Sequence, residues 1–260
     1  MPGGSGAALL DALGLRERRY VHLIGGGGKT TLMFAAARAL ADEGRSVLTT
    51  TTTRILWPEP AQSERVVLGV GAAELIARVR GELATCRHVT VASPSPEGGR
   101  KLGGLAVDVL DALAEARVAD HVVVEADGSA GRPLKAHAEH EPVVSPRADL
   151  VIAVVGVDCL GAPLDDAHVH RAALVCARLG RPAGSIVTAV DVANIVLHRE
   201  GWLARVARDC EVVVLVNKAE TSAARAAALG LARALRTAAA DRRLRRVVVG
   251  DVRTGAFESA

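Results

Sequence analysis

The chain has 260 residues, half of them apolar, and carries 32 Lys and Arg against 29 Asp and Glu, a net charge of +3. That length and Ala/Val/Leu content supply a core, while the balanced charge and the two Phe, two Trp and one Tyr argue against a nucleic-acid groove, which uses a basic face and stacking rings. The four cysteines form no C-x-x-C pair, no apolar run approaches the roughly 20 residues that span a bilayer, and the first residues lack the basic-then-apolar order of a secretory leader; a cytoplasmic protein with no membrane or nucleic-acid partner is expected.

Short β-branched runs alternate with Ala/Leu/Arg stretches of helical period. In chain order, strands are predicted at Tyr20 to Ile24, Ser46 to Thr50, Arg65 to Leu68, His88 to Val91, His121 to Glu125, Leu150 to Val155, Val212 to Val216 and Arg246 to Val249. Helices are predicted at Thr30 to Glu43, Ala72 to Ala84, Leu105 to Ala116, His170 to Leu179 and Ser222 to Ala240. Several strands are apolar at successive positions, which suits a largely parallel sheet buried on both faces. The alternation predicts a doubly wound α/β fold, three layers deep with helices on both faces of the sheet. Ser93 to Gly104 (SPSPEGGRKLGG) reads as a long loop. The runs Arg16 to Arg19 and Arg242 to Arg246 read as solvated helix ends.

The first predicted strand runs into Gly25-Gly26-Gly27-Gly28-Lys29-Thr30-Thr31 and then an amphipathic helix. Glycines let successive backbone N–H groups turn toward an anion, because no Cβ blocks the approach. The helix N-terminus adds its dipole. Lys29 is suited to the β and γ phosphates, and the Thr30 hydroxyl to Mg²⁺. The motif departs from G-x-x-x-x-G-K-[ST] by having Leu23 at the first Gly position. It is read as a variant phosphate loop for ATP or GTP.

Such a loop needs an acidic group at the end of a neighbouring strand to organise Mg²⁺. Val122-Val123-Val124-Glu125-Ala126-Asp127-Gly128 offers Glu125 and Asp127. One would hold the metal, and the other would position a water or a substrate hydroxyl. Downstream, Asn217-Lys218-Ala219-Glu220 resembles the Asn-Lys-x-Asp element with which GTP-binding proteins read guanine, with a carboxylate one methylene longer. GTP is suggested and ATP stays open.

The second predicted strand ends in Thr49-Thr50-Thr51-Thr52-Thr53-Arg54, where open α/β sheets bind ligands. Thr51, Thr52 and Arg54 are candidates there for phosphate oxygens or an anionic substrate, with Arg54 suited to charge on a transferring phosphoryl group. Lys101, Arg132, Lys135, His168, His170 and Arg171 are further candidates for a substrate or a switch loop. A metal site at His168 and His170 is a weaker reading, since two imidazoles at i, i+2 are brief evidence.

Taken together these residues resemble the YqeC-type accessory proteins of selenium-dependent molybdenum hydroxylases. The matching elements are the Gly25–Thr31 loop, Thr49 to Arg54, Lys101-Leu102-Gly103-Gly104-Leu105, Val124-Glu125-Ala126-Asp127-Gly128-Ser129-Ala130-Gly131-Arg132-Pro133-Leu134-Lys135, Val154 to Asp158, His168-Val169-His170-Arg171 and Asn217 to Glu220. The resemblance implies a P-loop NTPase-like protein in maturation of a selenium-containing molybdenum cofactor site. Its implied partners are a hydroxylase or a selenium-donating protein. It fixes a pathway better than a reaction.

Three activities fit these residues. The first is a Mg²⁺-dependent NTPase driving a conformational or delivery step. The second is a small-molecule kinase or ligase with Asp127 as base, acting on an anionic cofactor precursor; the Gly-Lys-Thr-Thr and Thr-rich elements also resemble Mur-type ligases. The third is a non-hydrolysing switch in which nucleotide orders loops such as Ser93 to Gly104. Residues 1–260 are expected to form one P-loop α/β domain, with a mostly helical excursion at about 156–210.

Overall fold

Strand β1 (Tyr20–Gly25) follows helix α1 (Gly3–Leu13) and leads through the glycine loop into α2 (Lys29–Asp42). Next come β2 (Val47–Thr51), β3 (Ile55–Leu56), β4 (Val66–Leu68), α3 (Ala72–Leu83), β5 (His88–Ala92), β6 (Lys101–Leu102), α4 (Val107–Glu115) and β7 (His121–Glu125). The second half contains β8 (Leu134–Lys135), β9 (Leu150–Gly156), β10 (Val169–His170), α5 (Ala172–Leu179), α6 (Ala189–Leu197), β11 (Glu211–Asn217), α7 (Ser222–Ala238), β12 (Leu244–Asp251) and β13 (Ala256–Ser259). This computed structural model describes residues 3–95, 99–198, 200–239 and 241–260. Residues 96–98 of the expected Ser93 to Gly104 loop lie outside the described residues.

Nine strands form the main sheet in the order β13-β12-β11-β9-β1-β7-β2-β5-β4. Every pairing is parallel except β12 with β13. The doubly wound α/β fold is thus present, and its central strands β1, β7 and β9 are buried along their whole length, as their apolar runs suit. Alternation along the strands divides the core. Val21 and Leu23 of β1, with Ile152 and Val154 of β9, pack against α1 and α2. On the opposite face α3 and α4 cover Leu48, Val89 and Val122. Helices α5 to α7 cover Val151, Ala153, Val212 and Val214 on that same opposite face.

The two-residue strands β3, β6, β8 and β10 went unexpected, β6 within the stretch read as the Ser93 to Gly104 loop, where it pairs with β3, and so did three larger elements. α1 begins Gly-Gly-Ser-Gly, which weakens any helical signal. α6 is rich in Val and Ile, poor helix formers. It is fixed by a capping box in which the Thr188 hydroxyl accepts from the Asp191 amide and Asp191 accepts in return from the Thr188 amide. β13 is a short antiparallel edge addition. The run Arg242 to Arg246 closes no helix: it enters β12, and Arg243 pairs with Asp241 and donates to the Leu203 carbonyl. No helix among the described residues is long and apolar enough to cross a membrane.

Parallel strands bring their carboxyl ends to one edge, where α/β sheets bind ligands. Here that edge carries Gly25, Thr51, Glu125, Gly156, Asn217 and Asp251. Register fixes the neighbours: Leu23 lies opposite Glu125, Thr51 opposite Glu125, Gly25 opposite Val154, and Asn217 opposite Gly156.

Candidate functional site

The glycine loop is shaped by what surrounds it. Gly25, Gly27 and Gly28 have φ of 95°, 77° and 122°, values that favour glycine. A Cβ on Gly27 would lie 2.2 Å from the Gly156 nitrogen, and one on Gly26 2.5 Å from the Arg132 oxygen. The Gly26 amide donates to the Val154 carbonyl at 2.8 Å and the Gly27 amide to the Arg132 carbonyl at 3.0 Å. Arg132 therefore acts here through its backbone, while its guanidinium braces the Asp166 and Ala130 carbonyls. Gly28 caps α2, so the first-turn amides, which have no intrahelical acceptors, are oriented toward the loop mouth.

Lys29 is buried and folded back on its own loop. Its ammonium donates to the Gly25 carbonyl at 2.6 Å and stands 3.1 Å from Asp127 and 3.8 Å from Glu125. Burial alone would lower its pKa, but the two carboxylates outweigh that and raise it. Thr30 Oγ1 donates to Glu125 Oε2 at 2.7 Å. Burial pushes the Glu125 carboxyl above the ordinary carboxylate range, opposed by Lys29 and Thr30.

Asp127 is the hub behind the loop. It accepts from the Gly25 amide at 2.9 Å, pairs with Lys29, lies 3.3 Å from Lys135, and meets His137 Nε2 in a short contact. Burial opposes its ionisation, yet Lys29, His137 and Lys135 together hold its carboxyl well below the usual range. The His137 imidazole is pushed down by burial and pulled up by Asp127, with a net lowering. Its Nε2 faces the Asp127 carboxylate, which accepts from it. Lys135 also reaches Glu141 at 2.9 Å, and Glu141 pairs with Arg171. An alternating ion chain thus runs Lys29, Asp127, Lys135, Glu141, Arg171, from the loop to the start of α5.

Two clefts meet at the loop, both lined by Gly27, Gly28, Thr31 and Lys218. One, of about 590 Å³, extends past Asn217, Glu220 and Asp251. The other, of about 400 Å³, extends past Lys29, Thr30, Glu125, Arg54 and Lys101. Asn217 donates from Nδ2 to the Gly27 carbonyl at 2.8 Å, and its Oδ1 accepts from the Val252 amide at 3.1 Å. One Nδ2 hydrogen remains for a ligand. Lys218 has φ of 68° and pairs with Asp158 at 2.6 Å. Glu220 is exposed at the rim.

The expected residues divide accordingly. Gly25 to Thr31, Glu125, Arg54, Lys101, Asn217, Lys218 and Glu220 converge on the loop or its clefts. Asp127, Lys135 and Arg171 lie behind the loop in the ion chain. Thr51 ties β2 to β7 by donating to the Glu125 carbonyl at 2.9 Å, and Thr52 lines neither cleft. His168 pairs with Asp165, and His170 sits on β10 opposite Lys135. Among the described residues no cluster of three or more His, Cys, Asp or Glu could hold a metal ion. Asp251, Glu141 and Trp202 were not singled out from sequence. Asp251 had a signal, as the residue ending an apolar strand run, Val247 to Gly250.

The profile of the YqeC protein family matches residues 21–173, which contain the loop, Glu125 and the ion chain. This chain belongs to the YqeC family. A YqeC relative from Escherichia coli K12, described as uncharacterized, is 33% identical over 214 residues, covering 82% of this chain and 81% of that protein. Among solved structures, the signal recognition particle 54 kDa protein from Aeropyrum pernix K1, in complex with GDP, matches at 15% identity and a TM-score of 0.32. That match covers 98% of this chain and 49% of the other, so this chain spans about half its length.

Thr30 and Glu125 suit a hard divalent cation. Both line the cleft of about 400 Å³, their oxygens 2.7 Å apart, and Mg²⁺ takes one or two protein oxygens with substrate phosphates and water. Asp127 does not line that cleft.

Proposed function

We propose that this YqeC-family protein binds a Mg²⁺-nucleoside triphosphate and hydrolyses it as an accessory step in maturing the selenium-containing molybdenum cofactor site of hydroxylases. The observation carrying this reading is the meeting of two clefts at one glycine loop, with Lys29, Thr30 and Glu125 on one side and Asn217 and Glu220 on the other. The Gly25, Gly26 and Gly27 amides are taken by Asp127, Val154 and Arg132, so in this reading the Gly28 amide and the first-turn amides of α2 receive the phosphates. Lys29 turns from Gly25 toward the β and γ oxygens. Thr30 and Glu125 hold Mg²⁺, which neutralises charge on the phosphoryl oxygens. Asn217 and Glu220 meet the base. The pathway rests on family resemblance and the nucleotide on the site.

Calorimetry of ATP and GTP with Mg²⁺ tests this, comparing the native protein with Lys29→Ala and Glu220→Ala. One nucleotide should bind, and Lys29→Ala should abolish it. GTP preference lost in Glu220→Ala assigns the base reader. ATP preference indifferent to Glu220 makes that carboxylate a rim residue. Binding of neither nucleotide overturns the reading.

A further inference from the structure

We propose that the outer part of the phosphate-side cleft is a binding site for a second ligand, a small molecule bearing a phosphate or carboxylate group, held beside the nucleotide by Arg54, Lys101 and Ser129. This rests on the nucleotide reading and names what the same cleft takes in addition.

The cleft has two parts. Its inner end is Lys29, Thr30 and Glu125, where a terminal phosphate would stop. Its outer wall is built by three separate segments: Arg54 to Leu56, Lys101, and the loop from Gly128 to Gly131. The first two are held together by the antiparallel pairing of β3 with β6, which sets Leu56 opposite Lys101. The third is held by β7, whose last residue Glu125 lies opposite Thr51 on β2.

Charge and chemistry select the ligand. Lys29, Arg54, Lys101 and Lys218 line the cleft against one carboxylate, Glu125, among the described residues. Lys29 and Lys218 have acidic partners in Asp127 and Asp158. The Lys101 ammonium and the Ser129 hydroxyl have no hydrogen-bond or ion-pair partner among the described residues. An ammonium and a hydroxyl without partners, on the same cleft as the Arg54 guanidinium, match an oxyanion, since charge-assisted hydrogen bonds to carboxylate or phosphate are the strong ones. Leu56 is 63% exposed on the same wall. It offers the body of such a molecule an apolar surface, as small-molecule sites combine apolar walls with a few polar groups.

The test uses the full chain saturated with Mg²⁺ and a non-hydrolysable triphosphate analogue, so that the nucleotide's own phosphate positions are filled. Inorganic phosphate and, separately, acetate are titrated by calorimetry. Saturable binding of one is expected, and the stronger of the two names the class. Lys101→Ala, at an exposed residue, should weaken that binding about fivefold to tenfold. Arg100→Ala, one residue away and outside the lining, should bind the anion as the native protein does. If the analogue binds and neither anion does, only this proposal falls. Equal losses in Lys101→Ala and Arg100→Ala would reduce the effect to general surface charge and overturn it too. If the analogue itself fails to bind, the nucleotide reading fails and this one with it.

Discussion

Asn217 clasps Gly27: its Nδ2 donates to the Gly27 carbonyl at 2.8 Å while its Oδ1 accepts from Val252 at 3.1 Å. One side chain thus ties the glycine loop, 190 residues before it in the chain, to the turn after β12. Replacing it with Ala leaves a buried carbonyl and a buried amide without partners, at a cost of about 1–3 kcal/mol. Asn217→Ala should lower the urea midpoint and weaken nucleotide binding by about tenfold or more. Asn217→Asp keeps the acceptor for Val252 and loses the donor to Gly27, so it should restore little of the affinity. Parallel denaturation and calorimetry check both, and full affinity in either variant would show that the clasp does not shape the site.

Asp127 carries the charge balance behind the loop. Its partners are Lys29, Lys135, His137 and the Gly25 amide. Asp127→Asn removes the negative charge and leaves buried cations against one another. Breaking a buried pair by removing one partner costs about 3–5 kcal/mol. We expect a large drop in stability and loss of nucleotide binding even at temperatures where the variant is folded. Asp127→Glu keeps the charge, and any recovery of stability without recovery of binding would separate charge balance from loop geometry. Melting curves and titrations on the same samples distinguish these outcomes.

The loop was legible from sequence because strand, glycines, Lys-Thr and helix are consecutive. Glu125 was legible because it ends an apolar run, and register then set it opposite Leu23 and Thr51. The division of labour between Glu125 and Asp127 was not. It depends on Lys135, His137 and Glu141, which follow a stretch without periodicity and reach Asp127 only through tertiary contact. Thr51 and Thr52 illustrate the same limit: a hydroxyl at a strand end faces a ligand or a neighbouring carbonyl, and the residue type is identical in both cases. α6 was hidden by its β-branched residues, although Thr188-x-x-Asp191 marked its start.

Gly25 and Trp202 give the loop a built-in reporter. A Cβ at Gly25 would lie 2.3 Å from the Trp202 ring and 2.4 Å from the Val154 carbonyl, at a φ of 95°. The indole also donates to the Lys135 carbonyl at 2.9 Å and packs against the His137 ring, with centroids 5.7 Å apart. Gly25→Ala must therefore displace either the loop or the indole, and should abolish nucleotide binding. The second tryptophan, Trp57, is exposed. In Trp57→Phe the remaining emission belongs to Trp202 and should be blue-shifted. Adding Mg²⁺ and nucleotide should change its intensity, because Lys29 leaves the Gly25 carbonyl beneath it. An unchanged spectrum at saturating nucleotide would contradict that movement.

His22 makes stability depend on pH. It lies in the middle of β1, fully buried, with no hydrogen-bond partner for either ring nitrogen among the described residues, and its ring meets Tyr20 edge-on at 4.7 Å. Burial pushes its pKa down from 6.5 to about 3. Between those values the unfolded chain binds a proton that the native state refuses. The stability contribution is complete above about pH 6.5 and is lost as pH falls toward 3. From pH 7 to pH 5 this one group should cost about 2 kcal/mol. His22→Leu removes the titration and an unpartnered buried polar ring together. The variant should be at least as stable as the native chain at pH 7 and clearly more stable at pH 5. Other imidazoles, the half-buried His88 with a pKa lowered to about 4 among them, keep some slope in the variant. Urea denaturation at both pH values measures the difference, and an identical loss of stability in the two proteins would show that His22 is protonated in the native state or exposed.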